Sequence, residues 1–336
     1  MLYTAKDNTL DDEPSEVELD PNLDTETIKA AEEETSERPE QGISRIIGKP
    51  SQSLINTYGN PVRIDPSYYG FDWWIYDGED IPYMQVGVKN NRVVSVIATS
   101  PKTDVSPFKI GATLESLYHD IKMQPEIELE YEGGLYRFEL YESDLNSRPL
   151  IPLGDIFAQL YFDNFSGELL FIRFMDKETL LVLRPYDLTY WGELIEPPEL
   201  TEDEWDGADT ASAKQIFELT NIVRKRNGLP DLTWDEKTAE VAYFHSQDMF
   251  ETETFSHESE KYGDLAERLK TREVYYEAAG ENIASQYIDS VAVVSGWLNS
   301  KGHRDTLLNE EFTHLGVGVY KKYYTQNFIK RTWDSQ

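Results

Sequence analysis

The chain of 336 residues contains no cysteine. That excludes a disulfide framework and any thiolate-ligated zinc centre. No stretch approaches about 18 consecutive apolar residues, the length needed to cross a bilayer as a helix. Basic side chains are scarce: 31 Lys and Arg stand against 63 Asp and Glu, for a formal net charge of −32. Nucleic-acid binding requires a basic face, so that class is excluded, and adhesion to anionic lipid is disfavoured. Charge of this sign suits a cationic or counter-ion-rich surrounding such as a wall matrix. No secretory leader pattern is visible, because Met1-Leu2-Tyr3-Thr4 runs directly into acidic sequence. Two locations stay open on composition alone: the cytoplasm, or the cell exterior with the acidic start serving as a spacer behind an anchor.

What is present is unevenly distributed. Residues 1–40 hold 14 Asp and Glu against 3 Lys and Arg, too polar to offset chain entropy by burial, so residues 1–42 are expected to be an acidic disordered segment. Beyond it, aromatic and aliphatic residues suffice for two cores. Residues 43–190 read as one domain with an internal repeat. In 43–100, a Ser-capped helix near Leu54 precedes strands at 71–77 and 83–100, the latter folded as a hairpin at Asn90-Asn91. Residues 108–176 repeat the plan: "FKIGATLESLYHDI" matches "RIIGKPSQSLINTY", 135–144 matches 71–77, and 156–176 matches 83–100. His119, the single histidine of this half, reads as a surface or packing residue. Pro197-Pro198 and the acids around them mark a linker over 191–208.

Residues 209–333 form the second domain. A helix capped by Thr210 or Ser212 carries Ile216, Leu219, Ile222 and Val223 on one face and stops at Gly228 and Pro230. Further helices are expected over 235–255, 264–272 and 290–300, and a terminal hairpin over 314–321 and 323–333. Helices and strands together indicate an α+β chain, with a layered C-terminal sandwich rather than a doubly wound sheet.

Four of the five histidines fall in this domain: His245, His257, His303 and His314. His257 and His303 lie in turn-like sequence, "FSHES" and "SKGHRD", and Glu281 sits in a third such stretch, "GEN". Two imidazoles and a carboxylate on three loops suit a divalent metal such as zinc, with the carboxylate as ligand or orienter. The same trio suits general acid–base work. Plainer readings stand beside these. His245 fits a partly buried helix position with one hydrogen bond, and His314 fits a structural or exposed strand start. Glu281 could stabilise a turn, Asn282 could satisfy loop backbone groups, and Arg304 could pair near Asp305 or Glu310. Ser256 and Ser300 are weak nucleophile candidates, since no Gly-x-Ser-x-Gly or His-Glu-x-x-His pattern occurs.

Taken in order, "NIVRKRNGLPDLTWDEKTAEVAYFHSQDM", "FSH", "DLAERL", "GENIA", "VVSGWLNSKGHRD" and "HLGVGV" resemble a bacterial CAP domain of the SCP/PR-1/cysteine-rich secretory superfamily, from about Lys214 to Phe328. The preceding half resembles the CAP-associated N-terminal domain of Gram-positive bacteria. The resemblance implies an α/β/α sandwich, export from the cell, and a central cleft with two His and two Glu that in some members holds zinc. By position, His257 and His303 would be the histidines and Glu281 the first glutamate. The second glutamate follows a Trp in a W-x-x-E element, where this chain has Trp297-Leu298-Asn299-Ser300, so Ser300 leaves the set incomplete. Asn282, Trp297, Ser300 and Arg304 would brace the cleft walls. Three functions follow as expectations. The first is an envelope binding module holding a divalent metal, conceivably Zn2+, or a small ligand, with an unknown protein or wall component as partner. The second is a metal-dependent or acid–base hydrolase on a wall or peptide substrate, with His257, Glu281 and His303 as its candidate catalytic residues. The third is a scaffold with a vestigial cleft.

Overall fold

The structure, a computed structural model, describes residues 17–19, 37–120 and 123–332. The chain divides at Glu199/Leu200 into two compact units. The acidic segment expected over 1–42 lies outside the described residues except at 17–19 and 37–42. Val17–Leu19 (β1) forms a short strand, and ordered chain is present before the expected Ile43: Arg38 pairs with Asp155 at 2.7 Å and donates to the Ile47 carbonyl at 2.7 Å.

In the first unit a 3-10 turn (Ile43–Ile46) and helix α1 (Gln52–Tyr58) precede four strands, β2 (Arg63–Pro66), β3 (Asp72–Tyr76), β4 (Met84–Lys89) and β5 (Arg92–Ala98). Asn90 and Asn91 both adopt positive φ, 50° and 61°, which a two-residue hairpin demands and Asn tolerates. Next come α2 (Leu114–Asp120), β6 (Glu126–Tyr131), β7 (Gly134–Glu139), α3 (Glu142–Ser147), β8 (Leu150–Leu153), β9 (Ile156–Asp163), β10 (Glu168–Asp176), α4 (Lys177–Leu183) and β11 (Asp187–Trp191). Seven strands form one sheet in the order β2-β3-β4-β5-β10-β9-β8, and β1-β11-β7-β6 form a second. The hairpins β4–β5 and β9–β10 lie side by side through the antiparallel β5–β10 pair. Their facing residues, among them Val86, Val96, Ala158, Leu160, Ile172 and Phe174, make the core. One matched pair of the sequence repeat separates in space. Residues 71–77 give β3 of the seven-stranded sheet, whereas 135–144 give β7 of the other sheet and the start of α3. The place flanking β9 is taken by β8, because the inserted α3 turns the chain back before it re-enters the sheet.

The second unit opens with α5 (Glu202–Arg226), which corrects two expectations. The linker does not run to residue 208, and the helix is not capped at Thr210 or Ser212. Thr201 is the N-cap: its hydroxyl accepts from the Glu204 N–H, and Glu204 accepts from the Thr201 N–H at 2.8 Å. The acids read as linker, Glu202, Asp203 and Glu204, sit in the first turn, where the helix dipole favours them. Thr201→Ala should therefore cost about 1 kcal/mol, read as faster amide exchange over 202–208 in the full chain.

The remaining elements are β12 (Thr233–Trp234), α6 (Glu236–Thr252), α7 (Leu265–Thr271), β13 (Ala278–Ser285), α8 (Ser290–Asn299), α9 (Lys301–Leu307), β14 (His314–Tyr320) and β15 (Tyr323–Lys330). They build a four-stranded sheet, β12-β14-β15-β13, between helix layers. Register places Gly316, Asn327 and Glu281 in one row across β14, β15 and β13, and Gly318, Thr325 and Ile283 in the next. These rows face α6, since a Cβ built on Gly316 would stand 2.2 Å from the Ala239 nitrogen, and one on Gly318 would stand 1.9 Å from the Tyr243 nitrogen. The opposite face meets α5 and α9: Gln326 donates to the Thr220 hydroxyl at 2.7 Å, and Asn282 donates to the His303 carbonyl at 3.2 Å. The result is the expected α/β/α sandwich.

Candidate functional site

Glu281 is the centre of the site. It lies on the edge strand β13, paired opposite Asn327, and not in the loop that its glycine frame suggested. The correction has a local cause: "AAGENIAS" lacks the alternating β-branched pattern of a strand, and its pairing comes from β15. Because side chains alternate along a strand, Glu281 points to the α6 face while Asn282 points to the other.

The Glu281 side chain is 4% exposed and fully engaged. Arg268, from α7, sets Nη2 at 2.9 Å from Oε1 and 2.8 Å from Oε2. His257 Nδ1 lies 2.9 Å from Oε1. Asn327, with its amide nitrogen turned toward the carboxylate, donates to Oε2 at 2.9 Å. Burial alone would raise the carboxyl pKa, but the Arg268 guanidinium and the His257 hydrogen bond outweigh it and hold the group down at about 2. An ionised carboxylate only accepts. His257 Nδ1 must therefore carry the proton, and in the neutral form of the ring Nε2 is the acceptor.

His257 lies, as expected, in irregular sequence after α6. His303 does not lie in a turn: Lys301–Leu307 is helical, and His303 projects from α9 on the opposite helix layer. Gly302 and the Ser300 break made this segment read as a turn, yet Ser300 is the junction from which α9 starts. Asn282, the strand neighbour of Glu281, donates to the His303 carbonyl and so ties α9 to β13 beside the carboxylate. Burial, and then His257, push His303 down to about 4. Its Nδ1 is buried without a hydrogen-bond partner.

Two further side chains stand at the site: His245, expected only as a partly buried helix residue, and Arg268, which no expectation included. His245 on α6 is 2% exposed, neither ring nitrogen has a hydrogen-bond partner, and Nε2 stands 3.8 Å from Glu281 Oε1. The expected single hydrogen bond is absent, and burial pushes the pKa to about 4, so at neutral pH this is a neutral ring beside a carboxylate rather than an ion pair. Arg268 is 5% exposed and also donates to the His257 carbonyl at 3.1 Å. Its signal was legible in "DLAERL": Arg268 shares a helix face with Leu265 and next to Leu269, and a charge in an apolar stripe implies a buried partner.

Asn282 is fully buried and holds the His303 carbonyl and Gln326 Oε1. Trp297 is 1% exposed and donates from Nε1 to the Ile283 carbonyl at 2.9 Å, fixing β13 from behind. Arg304 donates to the Leu298 carbonyl at 3.2 Å, and Asp305 pairs with Lys301 at 2.7 Å. Ser300 lends its carbonyl to the Arg304 N–H at 2.8 Å. His314 bonds to the Thr313 hydroxyl at 2.8 Å, a structural position. No ring nitrogen of His257 or His303 is hydrogen-bonded to a serine or threonine hydroxyl among the described residues, Ser256 included.

Zinc was an expectation of the His257, Glu281 and His303 set. Among the described residues, no group of three His, Asp or Glu side chains is arranged to hold a metal ion. The donor chemistry gives the reason: both Glu281 oxygens are taken by Arg268, His257 and Asn327, so the carboxylate orients His257 instead of facing a shared cation. The residues present do not fit a three-donor centre.

The titrations set an acid limit. His245 has a folded pKa near 4, below its ordinary 6.5, so the unfolded chain takes up the proton first. Stability is therefore full above about pH 6.5 and falls as pH drops toward 4, by on the order of 3 kcal/mol for His245 alone. His303 adds to the same window. Glu281, lowered from 4.5 to about 2, extends the loss below pH 4.5. Chemical denaturation at stepped pH should show this slope, and His245→Gln should flatten it between pH 6.5 and 4.

Comparison with known proteins agrees with this fold. Residues 47–186 match the CAP-associated N-terminal family, and residues 217–331 match the cysteine-rich secretory protein family. An uncharacterised membrane protein of Bacillus subtilis (strain 168), YlbC, is 47% identical over 293 residues, 87% of this chain and 85% of the relative. The crystal structure of an extracellular protein containing an SCP domain from Bacillus anthracis str. Ames superposes with a TM-score of 0.83 at 44% identity, covering 89% of this chain and 98% of that one. A cysteine-rich secretory protein from Staphylococcus aureus subsp. aureus Mu50 superposes with a TM-score of 0.77 at 29% identity, covering 88% and 98%. Among the described residues no helix is long and apolar enough to cross a membrane. Layer order, the His257–Glu281 geometry and these matches lead to one conclusion: the chain belongs to the CAP (cysteine-rich secretory protein) family, with a CAP-associated domain ahead of its CAP domain.

Proposed function

We propose that this chain is a CAP-family binding protein of the cell exterior or envelope, whose cleft seats a small polar ligand at His257 and His303 without needing a metal. The observation that carries this reading is the saturated carboxylate. Glu281 is ionised, buried and fully bonded, so its work is to fix the His257 ring with Nε2 presented as an acceptor. His303, kept neutral by burial, offers an uncharged ring on the other wall. Imidazole rings recognise hydroxyl and amide groups by hydrogen bonding. Location at the envelope draws support from relatives described as an extracellular protein and as a membrane protein. A second reading, acid–base hydrolysis, is favoured by the same His257–Glu281 pair, which has the form of an oriented base.

Imidazole-detected NMR of the full chain, titrated with a soluble muropeptide digest, separates the two. The binding reading expects saturable shifts at His257 and His303, weakened at least about tenfold in His303→Ala, with the digest chemically unchanged on chromatography. New products that vanish with His257→Ala would contradict it and favour hydrolysis. Unmoved histidines would leave the cleft without a role in envelope recognition and favour the scaffold.

A further inference from the structure

The site contains a permanent cation that the ligand-set reasoning did not include. Arg268 is charged at every relevant pH, is 95% withdrawn from solvent, and stands within 3 Å of both Glu281 oxygens. Its Nε and Nη1 are buried with no hydrogen-bond partner. A guanidinium inserted merely to brace α7 against the sheet would be expected to spread its donors over backbone carbonyls, as Arg224 does at Leu307, Asn309 and Pro230. Arg268 directs Nη2 at both carboxylate oxygens and the His257 carbonyl and leaves Nε and Nη1 without partners, so most of its interaction is with the Glu281 charge.

A divalent ion entering from the His257 side would meet a carboxylate whose charge is already compensated and a fixed positive charge behind it. The carboxylate could serve the ion only by releasing Arg268, which would strand a buried cation. We propose that Arg268 is the specificity-determining residue of the cleft: it acts as a built-in counter-ion that closes the His257–Glu281–His303 set to divalent metals and reserves it for uncharged polar ligands. This rests on the metal-free reading of the cleft given above. It adds that metal exclusion is the work of one side chain and is reversible. With the guanidinium gone, the Glu281 oxygens it held are released beside the imidazoles of His257 and His245, and a bound cation would supply the positive charge that was lost, a set of the kind that holds zinc.

The test is calorimetric titration of the full chain with zinc chloride, wild type beside Arg268→Gln, Arg268→Lys and the double variant Arg268→Gln/Glu281→Gln. The expected result is no saturable binding below about 100 μM in wild type or in Arg268→Lys, which keeps the charge. Arg268→Gln should bind at least about tenfold more tightly than wild type, and the gain should disappear in the double variant. Cobalt(II) substitution should give Arg268→Gln, and not wild type, a visible absorption band of an imidazole-bound ion. Micromolar zinc binding by wild type that His257→Ala abolishes would overturn the proposal, and that arm needs no Arg268 variant to fold. If Arg268→Gln is unfolded alone, recovery of its circular dichroism on adding zinc supports the proposal, and failure to recover at saturating zinc overturns it. The muropeptide titration uses wild type without metal, so failure of the binding reading and failure of this proposal are read separately.

Discussion

Arg268→Ala should destabilise the C-terminal unit by about 3–5 kcal/mol, the range for removing one partner of a buried ion pair. The loss comes less from the missing bond than from what remains: a carboxylate 4% exposed with no compensating cation. Burial would then dominate and raise the Glu281 pKa, so the variant would fold best with Glu281 protonated. The penalty should therefore be largest at pH 7–8 and shrink as pH falls toward the ordinary carboxylate range, opposite in sign to the acid loss of the wild type. The double change Arg268→Met/Glu281→Leu removes both charges and should recover more than half of the stability. Scanning calorimetry of the full chain, with the transition of residues 200–332 assigned by hydrogen exchange of β14 and β15 peptides, reads all three. A loss under about 1 kcal/mol for Arg268→Ala at pH 7.5 would mean that the pair is solvated and that Glu281 is not held as described.

Gly318→Ala should be comparably severe for a different reason. A methyl group there would overlap the α6 backbone, at 1.9 Å from the Tyr243 nitrogen and 2.3 Å from the Ala242 carbonyl carbon. Backbone cannot rotate aside as a side chain can, so α6 must lift from β14. Overpacking of this kind costs about 3 kcal/mol or more, a fall in melting temperature on the order of 10 °C for a unit of this size. The same displacement would carry His245 away from Glu281 and break the Ser246 hydroxyl bonds to the Gly318 carbonyl, at 3.0 Å, and to the Thr325 hydroxyl, at 2.9 Å. Ligand shifts at His257 should weaken with it. Gly302→Ala is the contrast, because nothing lies within 4 Å of its added methyl. It should be neutral or slightly stabilising within α9.

Much of this was legible before the fold was known. The Asn90-Asn91 hairpin, the helices over 235–255, 264–272 and 290–300 and the terminal hairpin followed from periodicity and turn chemistry, and the bracing Trp297 from the family resemblance. Glycine-framed sequence misled in two places. The frame around Gly280 suggests a loop, although Gly280 lies in a strand where a side chain would strike Phe312 and Thr306, and that around Gly302 suggests a turn although the residue is helical. In each case tertiary packing overrode local propensity. The start of α5 was missed because a run of acids resembles a linker until it is recognised as a helix first turn behind a Thr201–Glu204 capping box. A search for ligand-type residues leaves out arginine, and so passes over Arg268, whose Nη2 lies within 3 Å of both Glu281 oxygens.

An ionised Glu281, compensated by Arg268, orients His257 through Nδ1. Long-range proton–nitrogen correlation of the imidazole rings in nitrogen-15-labelled full chain at pH 8 reads this arrangement. The expected spectrum has His257 in the Nδ1–H form, with that proton shifted downfield by its carboxylate bond, and neutral His245 and His303 whose signals do not titrate until the pH nears 4. An Nε2–H tautomer at His257, or His245 and His303 titrating near 6.5, would contradict it.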